Sequence, residues 1–184
     1  MRPHLPLPLL SALLACFISP SWAAYTLTGN GETTISFADD QYTITPPAGD
    51  PVTQADSPGD IYLTDITESG TYEDGYNRVL NLEGGIYTKL QLWNVAGTAG
   101  GVTLGGTNSF VINIGAGTSL LNTNPQLMGW SNQDRIVAAD ITLNVDQNAG
   151  TINGFCLVGD GNKTDAFQTT GTYIVNIPVS YTHL

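Results

Sequence analysis

Ile141-Thr142-Leu143-Asn144-Val145 alternates apolar and polar side chains with a period of two. Successive side chains of an extended chain point to opposite faces, so this stretch makes one apolar face and one polar face, as a half-buried strand does. The pattern recurs in both directions. Tyr173, Val175 and Ile177 share a face of Thr172 to Ile177, and Val102 to Leu104 and Phe110 to Ile114 read as strands upstream. Ile35 and Phe37 share a face of Thr33 to Phe37, and Tyr42 and Ile44 share one of Gln41 to Thr45. Ile61-Tyr62-Leu63 is a further short strand, and Arg78 to Leu82 and Thr88 to Trp93 read as a hairpin around Glu83-Gly84-Gly85. Gly, Asn, Asp and Pro supply the turns between, with a proline-rich surface loop from Pro46 to Pro58.

Short strands at roughly even spacing, with no helical periodicity, predict an all-β domain. The expected architecture is an immunoglobulin-like antiparallel β-sandwich. The alternative is a parallel β-helix, suggested by the Gly-, Thr- and Asn-rich run from Gly97 to Asn124. That fold needs a fixed repeat period, and none is evident along the chain.

The ends of the chain carry different information. Arg2 and His4 precede an apolar run from Leu5 to Ile18, and Ser21-Trp22-Ala23 places small residues where a signal peptidase reads them. Residues 1–23 are therefore expected to be a secretory signal peptide, too short in its apolar part to span a bilayer. A lipoprotein box at Leu13-Leu14-Ala15-Cys16 is the competing reading. Val179-Ser180-Tyr181-Thr182-His183-Leu184 matches one translated frame of a transposon-derived sequencing adapter, so 179–184 is expected to be read-through. That leaves 24–178 as a single domain.

The chain has 16 acidic and 5 basic residues, a net charge of −11, and no basic footprint that could meet nucleic-acid phosphates. Between residues 24 and 178 there is no histidine, since His4 lies in the leader and His183 in the tail. Ser-His-Asp and Cys-His catalysis and the common zinc sites are excluded within that segment. Cys156 reads as a buried hydrophobe, with a partner in missing sequence or a reactive thiol as the other options. Asp160 to Asp165 has alternating oxygens like a calcium loop, but Asp165 stands where Gly is needed and Gly171 where the bidentate Glu is needed. Asn162-Lys163-Thr164 fits the N-glycosylation triplet. The acidic pairs Asp39-Asp40 and Glu73-Asp74 do not single out a glycosidase site. No catalytic residue, metal site or cofactor is expected, and the chain is not expected to be an enzyme. Trp93 and Trp130 could stack on a sugar ring. Trp130, in the turn-rich Met128-Gly129-Trp130-Ser131-Asn132, is the better ligand candidate, together with Asn132.

Tyr25-Thr26-Leu27-Thr28-Gly29-Asn30-Gly31-Glu32-Thr33-Thr34-Ile35-Ser36-Phe37 resembles the N-terminal extension and first strand of bacterial fimbrial subunits of the chaperone–usher kind. Gly171-Thr172-Tyr173-Ile174-Val175-Asn176-Ile177 is similar to the strand that closes such pilins. The resemblance covers only these two ends. It implies a sandwich lacking one strand, filled first by a periplasmic chaperone and then, at an outer-membrane usher, by a neighbouring subunit's extension. Tyr25, Leu27, Ile35 and Phe37 would be the donor-strand residues. The implied location is the fimbrium of a Gram-negative bacterium, reached through the periplasm, with host glycans as candidate ligands. Other readings are the carbohydrate-binding domain of a truncated two-domain tip adhesin, or a free secreted sugar-binding or surface module.

Overall fold

In a computed structural model the chain is described over residues 24–73, 75–95, 101–121, 127, 135–153 and 167–178. Its strands follow one another in successive rungs. The first rung holds β1 (Tyr25–Thr26), β2 (Gly31–Ala38), β3 (Gln41–Thr45) and β4 (Val52–Gln54). The second holds β5 (Asp60–Tyr62), β6 (Gly70–Tyr72), β7 (Asn77–Glu83) and β8 (Gly85–Tyr87). The third holds β9 (Lys89–Gln91), β10 (Val102–Leu104), β11 (Ser109–Ile114) and β12 (Thr118–Leu120). Then come β13 (Arg135–Ala138) with β14 (Asp140–Val145), and β15 (Phe167–Thr170) with β16 (Tyr173–Asn176). No helix occurs among the described residues.

Apart from β2, β3 and β4, which also pair with one another in sequence order, each strand pairs with its counterpart in the next rung and not with its neighbour in sequence. The longest sheet runs β16-β14-β11-β7-β2-β3-β4, and β2 through β16 in it are parallel. A second sheet, β15-β13-β10-β6, is parallel throughout, as are β1-β5-β9 and β12-β8. Asparagines in register on β7, β11, β14 and β16 lie 32, 31 and 32 residues apart. The chain is a parallel β-solenoid.

This corrects the expected antiparallel sandwich. Period-two alternation defines which side chains turn inward, and it is the same whether a strand's partner is parallel or antiparallel. The proposed hairpin about Glu83-Gly84-Gly85 is not formed. Gly84 and Gly85 instead turn the chain from β7 into β8, on another side of the same rung. Gly85 holds φ at +85°, and a Cβ there would stand 2.6 Å from the Tyr42 ring, so two constraints exclude a side chain at that corner.

Inward positions stack in columns. Leu80, Ile112 and Leu143 form one, and Leu82 and Ile114 belong to the next, all buried. Burying each such side chain contributes about 1.5–3 kcal/mol. Trp93 is buried among them and is core rather than an exposed platform.

Among the described residues antiparallel pairing enters only at the N-terminal end. β2 turns back into β3 through Asp39 and Asp40, at φ 51° and 58°. Two consecutive left-handed residues make the turn that suits a two-residue hairpin, and Asp tolerates that conformation better than most. This explains the Asp39-Asp40 pair as turn chemistry. β3 and β4 then cap the sheet, with Tyr42 and Ile44 buried beneath.

Candidate functional site

The outward face of the long sheet carries a ladder of asparagine side chains. Asn113 Nδ2 donates to Asn81 Oδ1 at 2.7 Å, Asn144 Nδ2 to Asn113 Oδ1 at 2.7 Å, and Asn176 Nδ2 to Asn144 Oδ1 at 2.7 Å. Asn81 Nδ2 extends the chain to Glu32 Oε1 at 2.6 Å and Thr34 Oγ1 at 3.2 Å in the first rung. Parallel, in-register stacking places identical side chains one strand spacing apart, about 4.8 Å, and an amide can then donate to one neighbour and accept from the other. Asn113 and Asn144 each keep a second lone pair and a second N–H for solvent or ligand, whereas both N–H groups of Asn81 are engaged. Val79, Val111 and Thr142 form a half-buried row alongside, ending at the exposed Ile174. From β7 to β16 the face is thus a narrow strip of amides beside branched side chains, bordered in the first rung by the Glu32 carboxylate.

A second polar column fastens the inner corner. Asn108 is buried and ties three rungs: its Oδ1 accepts from Tyr76 N at 2.9 Å, and its Nδ2 donates to Gly105 O and Ala138 O, both at 2.7 Å. Asn30 accepts from Asn77 N at 2.9 Å and Asp140 from Thr172 N at 2.7 Å, so side chains at this corner repeatedly cap the backbone of the following rung.

A polar cleft of about 250 Å³ near the closed end is lined by Gly29, Asn30, Asp65, Gly75, Tyr76 and Arg78. Its cation is already engaged. Buried Arg78 donates through Nη1 to Leu27 O at 2.5 Å and Leu63 O at 2.7 Å, contacts Asp65 Oδ1 at 3.4 Å through Nη2, and lies over the Tyr76 ring at 4.6 Å. Burial lowers its pKa, and the charge of Asp65 opposes that shift. The guanidinium ties the first rung to the second. Lys89 plays a similar part, with Nζ 2.8 Å from Asp60 Oδ2 and 5.2 Å from the Tyr62 ring. Burial acts to lower the Lys89 pKa, but hydrogen bonds to Asp60 and Tyr62 together with the Asp60 charge outweigh it, so the value is raised.

The four expected donor-strand residues all belong to the protein's own fold. Tyr25 pairs with Ile61 and is half-buried, which raises its hydroxyl pKa. Leu27 is buried, and its N–H donates to Tyr62 O at 2.9 Å. Ile35 is buried on β2, and Phe37, partly exposed, packs on Tyr42 at 4.6 Å between ring centroids. Trp130 and Asn132 lie outside the described residues, as do Cys156, the 160–165 loop, residues 1–23 and the tail 179–184. Among the described residues no group of His, Cys, Asp or Glu converges as a metal site would require.

The ladder was missed in the sequence although its signal is there. Val79-Leu80-Asn81-Leu82, Val111-Ile112-Asn113-Ile114, Thr142-Leu143-Asn144-Val145 and Ile174-Val175-Asn176-Ile177 align when each is anchored on its asparagine. Comparison with known proteins finds no family model, no curated protein and no solved structure that matches this chain.

Proposed function

We propose that the protein is an exported structural module of the cell surface, a rigid solenoid that builds length and presents a flat polar face, and not a catalyst. The observation that supports this best is the asparagine ladder, which runs through every rung from β7 to β16 without interruption. A ladder of this kind contributes regularity along the axis and rigidity across it, which a spacer or scaffold needs. The leader-like first 23 residues and the acidic, sparsely basic composition are consistent with work outside the cytoplasm.

The fimbrial reading keeps its exported, structural character here but needs a different assembly chemistry. Strand donation requires a free N-terminal extension, and Tyr25 to Leu27 are engaged with β5. A carbohydrate-contacting role is the second reading. The spare amide groups of the ladder beside Val79 and Val111 offer hydrogen bonds and apolar contact together, as a sugar face demands.

The test is export. Expressed with its own leader in a Gram-negative host, the protein is expected to be cleaved before Ala24 and to become accessible to protease added outside the inner membrane. An uncleaved, cytoplasmic product overturns the proposal. Binding of soluble glycans that is abolished by Asn113→Leu in a folded variant would favour the second reading.

A further inference from the structure

Three segments meet beside the turn from β2 into β3. Phe37, Asp40 and Tyr42 come from the hairpin, Asp56 and Ser57 from the loop after β4, and Ile86 from β8 in the second rung. Together they line a hollow of about 240 Å³. Part of that lining is apolar and within reach of solvent, since Phe37 is 38 % exposed and Ile86 45 %.

The walls are fixed by their own bonds. The Tyr42 ring packs on Phe37 at 4.6 Å and edge-on to Tyr87 at 5.8 Å between centroids. Ile86 N donates to the Tyr42 hydroxyl at 2.9 Å, and that hydroxyl donates to Ile86 O at 3.3 Å. Ser57 Oγ donates to the same carbonyl at 2.5 Å and accepts from Gly59 N at 3.1 Å. Hairpin, loop and second rung are thus joined around Ile86, and a ligand need not order these walls on entry.

The same bonds decide the chemistry. Both lining hydroxyls spend their protons on Ile86 O. Asp40 and Asp56 remain, and among the described residues neither carboxylate has a hydrogen-bond or ion-pair partner. A carboxylate only accepts, so the side chains here offer apolar surface and acceptors but no donor. An anion would meet two like charges. A sugar hydroxyl would find acceptors but no side-chain donor for its own oxygen. An apolar guest would strip water from the carboxylates with nothing in return.

An ammonium or guanidinium group meets none of these obstacles, because it carries donors only. Its alkyl stem can cover Phe37 and Ile86, and its charge gains from the aromatic ring. The net charge of −11 attracts it from a distance. Arg78 and Lys89 are held by Asp65 and Asp60, and neither lines the hollow. We propose that the hollow is a binding site for an aliphatic cation, an ammonium or guanidinium group on an alkyl stem, as a lysine or arginine side chain presents. It shares no residue with the asparagine ladder, so the inference stands whether or not the scaffold reading holds.

The experiment is a titration of the isotopically labelled protein, followed by amide chemical shifts, with n-butylammonium chloride and with a capped Gly-Lys-Gly peptide. Saturable shifts are expected at Phe37, Asp40, Asp56 and Ile86. Binding of both probes assigns the site to any alkyl cation, and binding of the peptide alone assigns it to a basic side chain within a polypeptide. Asp40→Asn and Asp56→Asn should each weaken binding about threefold, and the double variant about tenfold. Asn keeps the left-handed turn that residue 40 needs at φ 58°, so these variants are expected to melt as the parent does. Phe37→Leu should weaken binding by about threefold while keeping an apolar wall. No saturable shift with either probe would overturn the inference. Equal shifts from n-butanol or from sodium chloride at the same concentration, or undiminished binding by the folded double variant, would overturn it too.

Discussion

The two ends of the long sheet solve the same problem differently. At the N-terminal end the chain folds back through Asp39-Asp40 into β3 and β4, buries Tyr42 and Ile44, and ties the first rung to the second with buried Arg78. At the C-terminal end β16 stops with Ile174, Val175 and Ile177 exposed and Asn176 Oδ1 facing outward from the ladder. The backbone pairing is equally regular at both. The difference lies at the outermost strands, where among the described residues one end has a cap and the other has none. A parallel stack has no intrinsic stopping point, so termination must be written into the sequence as a separate device.

Substitutions in one core column should expose this contrast most strongly. Leu80→Ala, in the closed half, is expected to cost about 2–5 kcal/mol. Val175→Ala, in register with it at the open edge, should cost less than about 1 kcal/mol, because its side chain is already partly in water. Urea unfolding of both variants checks the pair, and equal losses would contradict the open edge.

The polar fastenings give the next largest effect. Asn108→Leu leaves the Tyr76 N–H and the Gly105 and Ala138 carbonyls without their partner, and should cost about 2–4 kcal/mol. Arg78→Met should fall in the same range through loss of its bonds to Leu27 O and Leu63 O. Asp65→Asn should be close to neutral, since Asp65 is 62 % exposed and solvent screens its pair with Arg78. Thermal or urea denaturation of the three variants separates these cases.

Within the ladder itself the expected differences are smaller. Asn113→Ala breaks two ladder bonds and should cost about 1–2 kcal/mol, and Asn176→Ala breaks one at the edge and should cost about 0.5 kcal/mol. The same denaturation series measures both, and a larger loss at Asn176 than at Asn113 would contradict the ladder's polarity.

Alkaline titration is the gentlest probe. Tyr25, Tyr87, Lys89 and Tyr173 all have raised pKa values, the tyrosines chiefly through burial and Lys89 through Asp60 and Tyr62 against the effect of burial. A raised value means that the folded state holds its proton longer than the unfolded chain does. Their contribution is therefore complete below the ordinary Tyr and Lys values near 10, and declines as pH rises above them. Stability measured from about pH 9 to pH 12 should fall, and a flat profile there would contradict these assignments.

The all-β class was legible because alternation marks strands directly, and the strands around Ile35, Tyr42, Ile61, Phe110, Leu143 and Val175 all form. Pairing was not legible from the same signal, because alternation is blind to strand direction. Only the repeat distance discriminates, and two features hide it. The hairpin and proline-rich loop after β2 stretch the first interval, so that Asn81 meets Thr34 at a separation of 47 rather than 32. The residues between the asparagine motifs also vary freely, since each corner needs only a glycine or a capping side chain. The N-terminal segment misled for a related reason. Tyr25 and Leu27 do alternate with threonines, but an apolar face does not say whether it enters its own core or a neighbour's. Here it enters its own.

The central claim is the parallel, in-register stack, and inter-strand nuclear Overhauser contacts on the isotopically labelled protein test it most directly. The account predicts backbone contacts of the parallel type between Asn81 and Asn113 and between Asn113 and Asn144, with side-chain amides linked in the same order. Antiparallel contacts between Arg78–Leu82 and Thr88–Trp93, with none between the asparagines, would contradict it and restore the sandwich.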